Sequence, residues 1–295
     1  MRLQSWLHTM IALCALLSAG RAAATDAPCD FSGRGPQPTG LRLRIAEVAC
    51  REHAEWYAPF INGEGRVGWK DGRIPMEAEG KGERLASGAR PWQRVADYWR
   101  RTPALRNMRG IEGASECESI SADWRENAAC RAFILDNPWS AAFVSYVMKA
   151  AGVEDFGFSQ EHVAYIFDAW DPSSTRRRYR LVAPGREKPE IGDLLCYSRE
   201  PRIVNHRDLI AFFERGGRGL KSHCDIVVGV NLNGDSKLYA IGGNLLHTVM
   251  MRKVPLNARG VFAPPVRGDG PCRMNEERAC GLSDKAWIAL LKLRE

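Results

Sequence analysis

The chain has 295 residues, 45% of them hydrophobic and 26% charged, and a formal net charge of +7. These proportions fit one globular domain with an extension, and no internal repeat or low-complexity segment is visible. Its lysines and arginines are scattered without a nucleic-acid motif, which sets nucleic acid aside as a partner; the mild basic excess suits anionic envelope polymers or lipid headgroups.

Arg2 precedes an apolar run from Trp6 to Leu17, and Ser18-Ala19-Gly20-Arg21-Ala22-Ala23-Ala24 follows. Charged, apolar and small-residue regions in that order predict a signal peptide over residues 1–24. The run is too short for a membrane span, and Leu13 before Cys14 does not suit a lipid-bearing cysteine. A periplasmic or secreted protein without a transmembrane anchor is expected. Loss of Arg2 and Arg21 would lower the charge from +7 to +5. Cys14 would leave as well, and the remaining cysteines are Cys29, Cys50, Cys117, Cys130, Cys196, Cys224, Cys272 and Cys280. An even set in an exported chain predicts disulfides. Cys117/Cys130 and Cys272/Cys280 are candidate local pairs, and Cys196/Cys224 a candidate bridge between neighbouring strands. A zinc site from Cys196, His206, His223 and Cys224 lacks the usual ligand spacings, so no metal is expected.

Residues 25–40 read as a Pro/Gly-rich tail, and Leu41–Phe60 as a helix with Leu43, Ile45, Val48, Trp56 and Tyr57 near one face. Residues 62–91 read as a long loop or an insertion. Further helices are predicted over Trp92–Arg101 and about 119–133, with Trp92, Trp99 and Trp124 as core rather than a sugar platform. Asn137 and Pro138 suit the cap and first position of another helix, which ends at Gly152 and holds Ser140 in its first turn. A helix from about Ser159 to Trp170 carries His162 and Tyr165. The period then changes. Arg178–Val182, Ile191–Tyr197, Cys224–Val230, Leu238–Ile241 and Val249–Val254 read as strands, with a turn at Asn231–Gly234. Ser283–Leu293 reads as an amphipathic helix. Helices first and a largely antiparallel sheet afterwards predict an α+β fold.

Four segments resemble the CHAP and NlpC-type superfamily of bacterial cell-wall hydrolases: Pro-Trp-Ser-Ala-Ala-Phe-Val-Ser-Tyr-Val-Met (138–148), Gly-Asp-Leu-Leu-Cys-Tyr (192–197), Ser-His-Cys-Asp-Ile-Val-Val-Gly (222–229) and Ile-Gly-Gly-Asn (241–244). More narrowly, the chain is similar to an uncharacterised exported bacterial family carrying the Trp-Ser-Ala-Ala-Phe form. The similarity spans about residues 90–260. It implies a papain-like core of helices on a mostly antiparallel sheet. The corresponding organisation is a signal peptide over 1–24, an N-terminal helical extension and loop over 25–90, the hydrolase-type domain over 91–260, and a C-terminal tail and helix over 261–295.

The resemblance also implies cleavage of an amide bond in peptidoglycan. Ser140 stands at the nucleophile's position, where the superfamily has cysteine; His223 would be the general base and Asn244 the group orienting it. Asp225, two residues after His223 on a strand, shares its face and is an alternative orienter. Trp139, His162 and Tyr165 are the expected substrate contacts. A serine does not ionise near neutral pH, so His223 would have to take its proton during attack, and first-turn N–H groups would hold the oxyanion. The expected activity is therefore an exported, cofactor-free amidase or peptidase acting on peptidoglycan or another envelope polymer. Two alternatives stand beside it: a non-catalytic envelope protein that uses the cleft to bind a polymer or protein partner, and an acyltransferase.

Overall fold

The apolar runs of the C-terminal half pair into one eight-stranded sheet. In the computed structural model the described residues are 28–31, 38, 40–69, 72–77, 82–121, 127–263 and 281–295. The predicted signal peptide, Trp124 and the Cys272/Cys280 pair lie outside them. The described helices are α1 (Gly40–Glu55), α2 (Pro91–Arg100), α3 (Ala128–Asp136), α4 (Ser140–Ala150), α5 (His162–Trp170) and α6 (His206–Glu214). The strands are β1 (Phe60–Ile61), β2 (Val67–Gly68), β3 (Tyr179–Val182), β4 (Leu194–Ser198), β5 (Ser222–Val230), β6 (Lys237–Leu245), β7 (Thr248–Pro255) and β8 (Ala286–Leu293). Their order across the sheet is β2-β1-β7-β6-β5-β4-β8-β3. Only β1 and β7 pair in parallel, so the α+β sheet is mixed.

Period-two alternation divides the interior between the two faces of this sheet. Cys196 of β4 and Cys224, Ile226 and Val228 of β5 join the larger core, with α1, α2, α4 and α5. Leu195 and Tyr197 of β4 and Val227 of β5 join a second core with Leu238, Val254, Phe262 and Trp287. Helix α4 is almost wholly buried, from Ser140 to Met148, and packs on β5 and β6. Helix α1 packs on α4 and β5, so residues before 91–260 contribute to the same core.

Three disulfides tie the described residues together: Cys29–Cys50, Cys117–Cys130 and Cys196–Cys224. The first, between the N-terminal tail and α1, was not among the candidate pairs. The third joins residues directly opposite each other on β4 and β5. Such bridges are compatible with an oxidising compartment. No described helix is long and apolar enough to cross a membrane.

Two local expectations are corrected, and one helix forms where none was expected. Residues Ser283–Leu293 are not a helix: Ala286–Leu293 form β8, which lies between β4 and β3 with all eight residues buried. A run apolar at both parities suits a strand covered on both faces, and that burial overrides the helical pattern. Asn137 does not cap α4. It follows α3 and donates from Nδ2 to the Phe133 carbonyl at 2.8 Å, and Ser140 is itself the first residue of α4. Finally, α6 lies in a stretch without a sequence prediction, although Asn205 caps it by accepting from the Asp208 N–H at 3.0 Å.

The Gly-Asp pair that precedes β4 has a structural role. Gly192 adopts φ +88°, which turns the chain into the strand. Asp193, fully buried, accepts from the Glu190 and Leu293 N–H groups and pairs with Arg42 and Lys292. One carboxylate thereby anchors β4 to β8 and α1.

Candidate active site

Ser140 opens α4 beside the N-terminus of α5, and these two helix starts bring a hydroxyl and an imidazole together. Ser140 Oγ lies 2.7 Å from His162 Nε2. The other ring nitrogen, Nδ1, meets the Tyr165 hydroxyl one turn along α5. With the proton on Nδ1 donated to Tyr165, Nε2 is free to accept from the Ser140 hydroxyl. Burial, with the neighbouring Arg199 cation acting in the same sense, holds the His162 pKa well below that of an ordinary histidine. Burial likewise raises the Tyr165 phenol well above its ordinary value. At neutral pH the triplet is an uncharged hydroxyl, imidazole and phenol.

His223 occupies a different position from the one expected. It shares a face of β5 with Val227, away from the Cys224, Ile226 and Val228 side chains that meet α4. Its ring is fully buried and stacks on Tyr197, directly opposite on β4, with centroids 5.0 Å apart. His223 Nε2 lies 2.9 Å from Asp225 Oδ1, and Arg252 Nε donates to Asp225 Oδ2 at 3.1 Å. Burial would raise the Asp225 carboxyl, but His223 and Arg252 together bring it below its ordinary value. Burial also lowers His223, with Asp225 acting in the opposite sense. A neutral His223 donates from Nε2 to the ionised Asp225 and uses Nδ1 to accept from Arg199, 3.3 Å away. Both ring nitrogens are engaged. The His162 and His223 rings are 5.0 Å apart, and it is His162 that touches Ser140.

The Ile-Gly-Gly-Asn segment serves this arrangement through its glycines. A Cβ at Gly242 would stand 2.0 Å from Asp225 Oδ1 and 2.9 Å from His223 Nε2, so the pair needs a hydrogen there. A Cβ at Gly243 would stand 2.5 Å from Phe143 Cβ and 2.8 Å from Trp139 Cζ3. The second glycine thus lets β6 approach the start of α4. Asn244 follows at φ +53°, where the β6–β7 register shifts. Its place beside His223 is taken by Asp225, whose carboxylate reaches the ring from two residues along the same strand.

Of the expected substrate contacts, His162 lines the cavity that opens on Ser140, whereas Tyr165 stands behind it. Trp139 is in the core, fully buried and stacked on Trp56 with centroids 5.8 Å apart. It has no surface to offer a ligand.

The cavity at Ser140 has a volume of about 580 Å³, and Gln160, Arg199 and Lys221 also line it. A second cavity of about 600 Å³ lies beyond Arg199, with Tyr197, Asn244 and Arg252 in its wall. Arg199 belongs to both. This arginine and the buried Arg252 were not singled out from sequence; Arg252 falls within an apolar run, and Arg199 follows a strand end. No described group of His, Cys, Asp and Glu side chains is arranged to hold a metal.

Comparison with curated proteins and with solved structures finds no match. A family model described as an uncharacterized protein conserved in bacteria (DUF2272) matches residues 86–293, which include Ser140, His162, Arg199 and the His223–Asp225–Arg252 chain. With more than half of its length covered, the chain belongs to this family.

Proposed function

We propose that the protein is an exported acyl hydrolase in which Ser140 attacks an amide or peptide bond of the cell wall and His162 takes the serine proton. The 2.7 Å contact between Ser140 Oγ and His162 Nε2, at the edge of a cavity, carries this assignment. In the first step the Ser140 oxygen adds to the carbonyl carbon while its proton passes to His162 Nε2. The same proton then goes to the leaving nitrogen as the C–N bond breaks. Water, giving its proton to His162 in turn, releases the acid and restores the serine. By helix geometry, N–H groups in the first turn of α4 lack intrahelical acceptors and favour a developing oxyanion.

Peptidoglycan as the substrate, and a papain-like ancestry for the scaffold, are supported by the four motifs similar to CHAP and NlpC-type hydrolases and by the signal-like N-terminus. The base differs from the one that resemblance implies, since His162 replaces His223 at the serine. A second reading has its own support. No described carboxylate backs His162, and an imidazolium formed in so buried a site is poorly stabilised. Those features suit a cleft that binds an envelope polymer without cleaving it.

Labelling with a fluorophosphonate, a serine-directed electrophile, separates the two. The hydrolase reading expects label on Ser140 of the purified protein, lost in Ser140→Ala and in His162→Ala, together with peptidoglycan fragments released only by the wild type. A protein that takes no label and releases no fragments, yet still sediments with peptidoglycan, is a binding protein.

A further inference from the structure

Arg199 is an exposed residue at the end of β4. Its guanidinium reaches inward between the two cavities, where it meets the neutral His223 ring at 3.3 Å and the Tyr197 hydroxyl. No described carboxylate forms an ion pair with it, although Glu161 and Glu200 line the same cavity. Other arginines of this chain do have such partners: Arg252 has Asp225, Arg94 has Glu52 and Arg180 has Glu187. A guanidinium has five donors in a planar fork that matches a carboxylate, and contacts to one imidazole nitrogen and one phenol leave part of that capacity unused.

Behind Arg199 runs a chain of hydrogen bonds. Arg252 donates to the Leu282 carbonyl at 2.7 Å and to Asp225, Asp225 holds His223 Nε2, and His223 Nδ1 receives Arg199. Asp225 thereby fixes the tautomer of His223 that presents a lone pair to the guanidinium. Lys221 stands on the adjacent strand end, its carbonyl accepting from the Arg199 N–H at 2.8 Å, and lines the Ser140 cavity as well. Two cations therefore border the space in front of Ser140, and one of them is oriented by a buried chain of three residues.

We infer that Arg199 is a specificity-determining residue that recognises a free carboxylate on the acyl substrate, with His223, Asp225 and Arg252 as its positioning residues. Lys221 adds a second, more loosely held charge. This names a substrate class, an amide or peptide bearing a carboxylate close to the scissile carbonyl, and it rests on the acyl-transfer reading of Ser140. It also gives the His223–Asp225 pair a role that needs no contact with Ser140.

The test uses N-acetylalanine and its neutral counterpart N-acetylalaninamide, titrated into the Ser140→Ala protein with its histidines ¹⁵N-labelled. N-acetylalanine is expected to bind about tenfold more tightly or better, the scale for hydrogen bonds to charged groups, and to shift the His223 Nδ1 resonance as Arg199 turns to the ligand. Arg199→Gln, at an exposed position that leaves the core untouched, is expected to abolish the preference, and Arg199→Lys to restore part of it. Equal affinity for the two probes, no binding of N-acetylalanine, or a preference that survives in Arg199→Gln would each overturn the assignment. The serine-free background performs no acyl transfer, so this outcome is independent of the fluorophosphonate result.

Discussion

Two buried polar clusters lie along helix α4, and they differ in what they leave unsatisfied. Near its C-terminal half, Glu52 of α1 accepts from Arg94 Nε and from the Tyr98 hydroxyl of α2, each at 2.8 Å. Trp56 Nε1 donates to the Tyr98 oxygen at 2.9 Å, and Arg94 reaches the Tyr146 hydroxyl of α4 at 3.1 Å. Charge meets opposite charge, and neither Glu52 nor Tyr98 lines the two cavities that Arg199 borders. At the other end of α4, Ser140 and His162 form a neutral pair at a cavity, and Arg199 is a cation without a described carboxylate. Burial and hydrogen bonding are common to both clusters. Spare bonding capacity beside an open volume belongs only to the second, and that is the feature by which a site for chemistry is told from a strut.

The largest effect is expected at the strut. Glu52→Gln leaves Arg94 with only its longer, 3.6 Å pair to Asp97, and unfolding stability should fall by about 3–5 kcal/mol, the range for breaking a buried ion pair. Urea denaturation measures this directly. A loss below about 1 kcal/mol would show that the cluster is not structural in the sense argued here.

Acid comes next. In the fold, burial lowers His53 to about 4, against an ordinary value of 6.5. Between those values the unfolded chain binds the proton and the folded chain does not. Stability contributed by a neutral His53 is therefore present above about 6.5 and is lost as pH falls toward about 4, to the extent of about 3 kcal/mol. His162 and His223 are shifted in the same direction and add to the loss. Melting temperatures across that window should fall with falling pH, and His53→Gln should flatten part of the slope. A melting temperature that stays level to pH 4 would contradict the assignment of three neutral buried histidines.

The smallest stability effect sharpens the comparison most. Gly242→Ala inserts a methyl group against Asp225 and His223, costing about 1–3 kcal/mol as overpacking. Its larger consequence should be functional, because displacing His223 removes the support of Arg199: the preference for N-acetylalanine should disappear while fluorophosphonate labelling of Ser140 persists. Retention of the preference would separate Arg199 from the buried chain behind it.

Much of the fold was legible from residue order, and the reasons are local. Short β-branched or apolar runs at Cys224–Val230 and Val249–Val254 became β5 and β7, Gly152 ended α4, and the Cys117–Cys130 and Cys196–Cys224 bridges followed from separation and strand adjacency. Ala286–Leu293 misled because a fully covered strand has no polar face, which leaves its periodicity ambiguous. His223 misled for a related reason. Motif order placed it opposite Ser140, but Cys224, Ile226 and Val228 occupy the face of β5 toward α4, and a one-residue change of parity is a change of side.

What the order of residues determined by itself was the class of the molecule: helices before strands, a serine near the start of a buried helix, cysteines spaced for bridges and glycines at the turns. These follow from propensity, period and backbone freedom, which act over a few neighbouring residues. Only the tertiary structure decided which imidazole meets Ser140, that Asp225 rather than Asn244 holds His223, and that Arg199 faces a cavity without a described carboxylate. The Ser140–His162 and Arg199–His223 contacts join residues 22 and 24 positions apart in sequence. They depend on strand parity and on the angle at which α4 and α5 meet the sheet, and both are set by packing across the whole core.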